Sequence, residues 1–312
     1  MSNNALRTIL GLLLSDLTGT TSSIAVALID AYPDCNNEID LINYLNGSNK
    51  LKEIVTNAHI QKAYESYELH KKAGISILVY GSSNYPLSLT MINRPPTVLY
   101  YRGELSLLNQ LPGVAVVGSR QITSNGSEIT RRITNMLVDE DFVIVSGLAI
   151  GVDSAAHRAT IQAKGKTIAV LANGLDKALP KQNERLGYEI LESGGAWASE
   201  YPIGTKPLKH FFVQRNRLQV GLSAGSVIIE ATLNSGTMTQ ADFCITNNRP
   251  LFAVVPHKAD NPLGLECEGT SELVNSQRAI PLRTKFDYDN LLKVVNQSRD
   301  FLTKKNIQSN LI

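Results

Sequence analysis

The residues best equipped for chemistry in this chain lie close together: Lys209, Phe212, Arg215, Asn216 and Arg217. They occupy a stretch, residues 201–229, that also carries Lys206 and has no acidic residue. A guanidinium forks onto phosphate oxygens through paired hydrogen bonds, and a lysine adds a point charge. An aromatic ring offers a shelf on which an unstacked base can lie. Cations and an aromatic ring in one segment, without counter-charge, match the needs of a nucleic-acid backbone. An isolated phenylalanine is just as readily a core residue, so Phe212 by itself decides nothing.

Three further loops carry glycine and hydroxyl side chains after apolar runs. Gly118-Ser119-Arg120 follows Val114-Ala115-Val116-Val117. Glycine lets a backbone approach a ligand, and exposed amides at a helix start attract an anion. The same tripeptide also reads as a tight turn with a solvated arginine. Ser235-Gly236-Thr237 is a second candidate phosphate nest. Glu230, just upstream, is a possible catalytic carboxylate, but the preferred reading has it orienting Arg215 or Arg217. In the third loop, residues 146–153, Asp153 suits a helix N-cap. His157 falls one helical turn on. A Ser146/Asp153/His157 hydrolase is conceivable, but GxSxG is absent and a structural Asp with a packed or dimer-facing His is preferred. Neither a Walker lysine motif nor GxGxxG occurs, which disfavours a nucleotide site of the usual kind.

The elements that must position these loops follow from hydrophobic periodicity. Residues 1–72 show helical spacing, as in Leu6, Ile9, Leu10, Leu13, Leu14 and Leu17, and are expected to form a small helical domain of packing or protein-contact character. From Gly74 the pattern turns to short β-prone runs at 75–79, 98–101, 114–117, 142–145, 167–171, 226–230 and 251–255. From residue 114 these apolar strands alternate with helices. That pattern implies a parallel sheet covered on both faces, an extended Rossmann-like α/β fold with its loops at the strands' C-terminal edge. The expected domains are 1–72, 73–283 and 284–312. The last is a helix near 288–302 followed by a polar, frayed tail.

Composition narrows the function. The chain has 312 residues, 43% of them hydrophobic, and a net charge of only +2. Nucleic-acid affinity would therefore have to come from local clustering of charge. Cys35, Cys244 and Cys267 are far apart and form no metal-binding spacing, so reduced thiols in a cytoplasmic protein are expected, with no metal and no cofactor. The N-terminus lacks a small-residue cleavage site, and no apolar run reaches the roughly 18 residues of a membrane span.

Taken in order, these loops resemble the DprA/Smf family of DNA-processing proteins. The resemblance covers about residues 73–279. It is carried by Tyr85-Pro86, Arg94-Pro95-Pro96, Gly118-Ser119-Arg120, Ser146 to Asp153 with His157, Gly174-Leu175-Asp176, Ser199-Glu200, Phe212 with Arg215-Asn216-Arg217, and Glu230-Ala231 with Ser235-Gly236-Thr237. It implies a non-enzymatic single-stranded DNA binder that acts as a homodimer and loads RecA in recombination or natural transformation. Gly118, Ser119, Arg120, Lys209, Phe212, Arg215, Asn216 and Arg217 would line the DNA pocket, and Ser235, Gly236 and Thr237 would shape it. The alternatives are a nucleotide-binding sensor in phage defence and a nucleotide phosphoribohydrolase of the same wider superfamily. For the hydrolase, a glutamate is expected soon after the glycine loop, where Thr237 is followed by Met238-Thr239-Gln240. The family's late Gly-x-Asn reads Gly269-Thr270-Ser271 here, Pro256 is followed by His257 rather than glycine, and residues 281–312 are too few for the winged helix many members carry.

Overall fold

The structure is a computed structural model that describes residues 3–309, with side chains from 5 to 303. Four helices come first: α1 (Asn3–Asp16), α2 (Ser22–Asp30), α3 (Glu38–Gly47) and α4 (Asn57–Lys72). Strands and helices then follow as β1 (Ser76–Val79), α5 (Leu87–Thr90), β2 (Val98–Gly103), β3 (Gly113–Val117), α6 (Ser124–Asp139), β4 (Ile144–Ser146), α7 (Val152–Gln162), β5 (Thr167–Val170), α8 (Glu184–Glu192) and β6 (Ala196–Ser199). The chain continues through α9 (Lys209–Gly221), β7 (Ser223–Ile228), α10 (Gly236–Thr246), β8 (Leu251–Val254), α11 (Glu268–Asn275), β9 (Ile280–Leu282) and α12 (Tyr288–Ser309).

Among the described residues the strands form one nine-stranded sheet in the order β1-β2-β6-β5-β4-β3-β7-β8-β9. From β6 to β9 every pairing is parallel, while β1 and β2 run antiparallel at one edge. The chain starts the parallel part at β3, works outward to β6, and then returns through α9 to β7 on the other side of β3. Strands β3 and β7 are therefore neighbours, with Val117 opposite Ile228. The connections diverge at this pair, which opens a crevice at the carboxyl ends of the two strands.

Side chains on β3 alternate between the two faces, as a strand requires. Val114 and Val116 pack with Ile133 and Leu137 of α6 and Leu291 and Val295 of α12. Ala115 joins Leu218 of α9 and Leu222 just beyond it, and Val117 joins Ala241 and Cys244 of α10. The central helices thus stand on both faces, with the starts of α6, α7, α9 and α10 at the C-terminal edge. Helices α1 to α4 share a hydrophobic cluster with Val98, Tyr100, Leu171 and Trp197 of the sheet region. His70 of α4 stacks on Tyr100 at 4.4 Å, and its Nε2 accepts from the Ile203 amide at 3.0 Å.

Two strands, β6 and β9, escape the sequence reading. So does α9, because its buried arginines blur the helical stripe that apolar residues normally draw. Residues 304–309, expected to fray, continue α12; lysine and glutamine are good helix formers. Residues 310–312 of that expected tail lie outside the described residues.

Trp197 is fully buried and donates its Nε1 hydrogen to the Gly187 carbonyl at 2.8 Å. Trp197→Ala should lower unfolding stability by about 3–5 kcal/mol, measured by chemical denaturation followed by circular dichroism.

Candidate nucleic-acid interface

Four segments meet at the crevice: the loop after β3, the loop after β7, and the first turns of α9 and α10. Arg215 fixes the helix among them, α9, against the sheet. It sits mid-way along α9, only 7% exposed. Its Nη1 donates to the Gly147 carbonyl at 2.6 Å and the Val170 carbonyl at 2.8 Å, which are the C-terminal ends of β4 and β5. Burial pulls its pKa below the ordinary guanidinium value; Asp153 pushes it back up and the like charge of Arg120 adds to the lowering. Asp153 is buried too, and burial raises its pKa against the opposing pull of Arg215. Its Oδ2 accepts from the Gly147 amide at 3.1 Å. The guanidinium lies so close over Gly147 that a Cβ there would collide with Nη1, which accounts for the glycine.

Arg217 is likewise buried. It donates to the Arg94 carbonyl and, at 2.5 Å, to the Glu200 carboxylate. Asn216 donates its Nδ2 hydrogens to the Gly236 carbonyl at 3.2 Å and to Thr239 Oγ1 at 3.0 Å, tying α9 to the first turn of α10. These placements correct the expectation that Arg215, Asn216 and Arg217 line a DNA pocket. All three residues are buried, and the hydrogen bonds of both guanidiniums go to internal acceptors. They are braces for the groups that do reach the surface.

The loop after β3 is also held from within. The Ser119 amide donates to the Glu230 carbonyl at 2.7 Å. Its hydroxyl donates to Glu266 Oε2 at 2.6 Å and accepts from the Gln121 amide at 3.0 Å. Ser119 is therefore not a free anion donor. A Cβ on Gly118 would press within 2.7 Å of Val152 Cγ2, so this glycine serves the close approach of α7. Glu230 does not orient Arg215 or Arg217. Fully buried, its carboxylate accepts from the Thr123 amide at 2.9 Å, the Thr123 hydroxyl at 2.8 Å and the Glu266 amide at 3.0 Å. It thereby occupies the anion seat at the start of α6. Glu266 went unnoticed in the sequence, since nothing local announces a partner 147 residues from Ser119.

Beyond these braces stand the exposed groups. Arg120 points outward, with its Cζ 5.7 Å from the Phe212 ring centroid, within cation–π range. Phe212 is 38% exposed and stands one turn into α9. Lys209 and His210 are exposed at the start of that helix, whose first turn has no acidic residue and whose N-cap, Leu208, offers no side-chain hydrogen bond. The unpaired amides there favour an anion, and a lysine at this end has no folding benefit from the dipole. Behind them Tyr201 stacks on Phe211 at 4.0 Å. At the start of α10 the first turn is again free of acids, and a Cβ on Gly236 would meet open space. The Ser235 hydroxyl oxygen is buried beneath this turn and has no hydrogen-bond partner.

The Ser146/Asp153/His157 alternative does not assemble. Helix α7 begins after Gly151, so Asp153 is its second residue rather than its N-cap, and it closes the preceding loop instead. His157 is fully buried with Nδ1 2.7 Å from Thr167 Oγ1. Among the described residues, no cluster of three or more His, Cys, Asp or Glu is placed to hold a metal, and no helix is long and apolar enough to cross a membrane.

The profile of the DNA recombination-mediator protein A family matches residues 76–293. The chain belongs to this family, the DprA/Smf proteins. It is 38% identical over 217 residues to protein Smf of Synechocystis, a match covering 69% of this chain and 54% of that protein. To the DNA processing protein DprA of Streptococcus pneumoniae it is 40% identical over 195 residues, covering 62% and 67%. The chain thus spans about half to two thirds of the length of these relatives. The crystal structure of S. pneumoniae DprA superposes with a TM-score of 0.71 at 30% identity, covering 92% of this chain and 96% of that one. A structure of DNA processing protein A from Helicobacter pylori, which concerns its single-stranded DNA binding mode, gives 0.62 at 32% identity over 70% of this chain and 96% of that one.

Two measurements check the bracing. Arg215→Ala strands the buried Asp153 charge and should cost about 3–5 kcal/mol of stability. Adding Asp153→Asn should cost less than the sum of the two single changes, giving a clear coupling in a double-mutant cycle. His157 supplies a pH signature. Burial, then the Arg215 charge, lowers its pKa from 6.5 to about 3. The unfolded chain takes up a proton that the native one refuses, so the stability His157 contributes is complete above 6.5 and is lost as pH falls towards 3. Between pH 6.5 and 4.5 the wild type should lose about 2–3 kcal/mol more than His157→Gln, read from denaturant midpoints at each pH.

Proposed function

We propose that the chain binds single-stranded DNA along the C-terminal rim of the sheet, as a non-enzymatic mediator of recombination. The observation that carries this reading is the Arg120–Phe212 pair: a free guanidinium and a half-exposed ring, side by side, on two different segments. Arg120 and Lys209 would take phosphates, Phe212 would carry a base, and the starts of α9 and α10, with Ser235, Gly236 and Thr237, would add backbone amides. Such a surface reads charge and stacking rather than base edges, so it suits an unpaired strand of any sequence. The family membership and the DNA-binding subject of the H. pylori structure support the same reading.

Hydrolysis of a nucleotide is disfavoured by the carboxylates. Glu230 is committed to Thr123 and the Glu266 amide, and Gln240, where an acid would be needed, is buried with its amide 3.2 Å from Ser226 Oγ. On family grounds the reading extends to action as a homodimer that hands the strand to RecA.

Fluorescence anisotropy with oligothymidylate across salt tests the proposal. Three or four phosphate contacts give a log–log salt slope of about −2 to −3. Arg120→Ala should weaken binding and reduce that slope by about 0.7. Phe212→Ala should weaken binding by about tenfold, the worth of one stacked base, and leave the slope unchanged. Wild-type affinity in both variants would refute the assignment.

A further inference from the structure

A groove of about 450 Å³ lies between α6 and α7, outside the rim just described. Its walls include Ile122, Ser127 and Arg131 on one side and Gly151, Ser154 and Arg158 on the other. The upper end is the rim itself. Gly151 adopts a φ of +87°, and a Cβ there would press within 2.7 Å of Arg120 Cα. The Val152 amide donates to the Ser119 carbonyl at 3.1 Å. The groove therefore opens directly beside the backbone of Arg120 and descends the face of the sheet that α6 and α7 cover.

Its charge is positive. Glu128 accepts from Arg131 at 2.8 Å and from Arg132 at 2.7 Å, so one carboxylate answers two guanidiniums. Those bonds hold Glu128 ionised, with its pKa lowered to about 2. Arg158 is exposed, and among the described residues it has no carboxylate partner. Of the charged residues lining the trough, Arg131 is paired with Glu128 and Arg158 is not, so one uncompensated positive charge, with Arg132 beside it, stands in a trough that runs on from Arg120.

We propose that this groove carries the continuation of the strand held at the rim, with Arg158 and Arg131 as phosphate contacts. The inference rests on the rim reading and deepens it: the occupant is the sugar–phosphate chain of the same single strand. Charge complementarity and unbroken continuity with Arg120 favour that occupant over an acidic protein segment. The lining mixes serine hydroxyls with Ile122, Ala155 and Ala159 and holds no aromatic ring, so it offers no shelf for a base and this part of the track adds length without sequence preference.

Length dependence separates the groove from the rim. Affinities are measured by competition for a tetrathymidylate, short enough to be held by the rim alone, and for an oligothymidylate of about 20 nucleotides. Arg158→Glu should weaken the long oligomer by about tenfold, lower its salt-slope magnitude by about 0.7, and leave the tetramer within about twofold. Arg120→Ala should weaken both. Unchanged binding of the long oligomer by Arg158→Glu would give the groove to another occupant and overturn the proposal, as would an equal loss for both lengths. If instead Arg120→Ala leaves both lengths unaffected, the rim reading itself fails. Thermal unfolding midpoints of the variants, expected to match the wild type, confirm that the exposed changes leave the fold intact.

Discussion

The Arg215 guanidinium is a nearly buried cation, and its surroundings are arranged to meet its requirements. Two strand-end carbonyls accept its hydrogens, Asp153 supplies the counter-charge, and Gly147 leaves the space it occupies. Removing Arg215 or Asp153 leaves the other charge buried and unanswered, which costs more than the contact itself contributes. The result is a rigid junction between the carboxyl ends of β4 and β5 and the middle of α9. Since Phe212 stands one turn before Arg215 on the same helix, the junction also fixes where that ring stands relative to Arg120.

A division of labour follows along a few residues of one helix. The first turn of α9 is exposed, cationic and uncapped; the next two turns are buried and bonded inward. Arg217 reaches Glu200 and the Arg94 carbonyl, Asn216 reaches the start of α10, and Arg215 reaches the centre of the sheet. On the opposite wall Glu230 and Glu266 do the same for the loop that presents Arg120. The Glu230 carboxylate accepts three internal hydrogen bonds and that of Glu266 accepts one from Ser119, so the acidic groups nearest the rim serve as anchors. A filled seat at the start of α6 also separates this crevice from sites in which a small phosphate sits on that helix.

Much of this was legible in the sequence, and the failures share a cause. The alternating apolar strands announced a parallel sheet, and the glycine-bearing loops marked its C-terminal edge. Gly118, Arg120, Lys209, Phe212 and Ser235 to Thr237 all gather there. The direction in which Arg215 and Arg217 point was not legible, because a charged residue in a sequence carries no sign of burial, and the acceptors that make burial tolerable are carbonyls and a carboxylate from distant segments. Glu230 was read towards the wrong arginines for the same reason. β6, Ala-Trp-Ala-Ser, and β9, Ile-Pro-Leu, carry alanine, serine and proline where the recognisable strands carry runs of valine and isoleucine.

The most direct test of the account is amide hydrogen exchange of the full chain with and without a saturating thymidine oligomer. The account predicts slowed exchange at residues 120–122, 209–213 and 235–238, with residues 215–221 already slow in the free protein and unchanged by DNA. Protection confined to the amino-terminal edge of the strands, or fast exchange across residues 215–221 in the free chain, would contradict it.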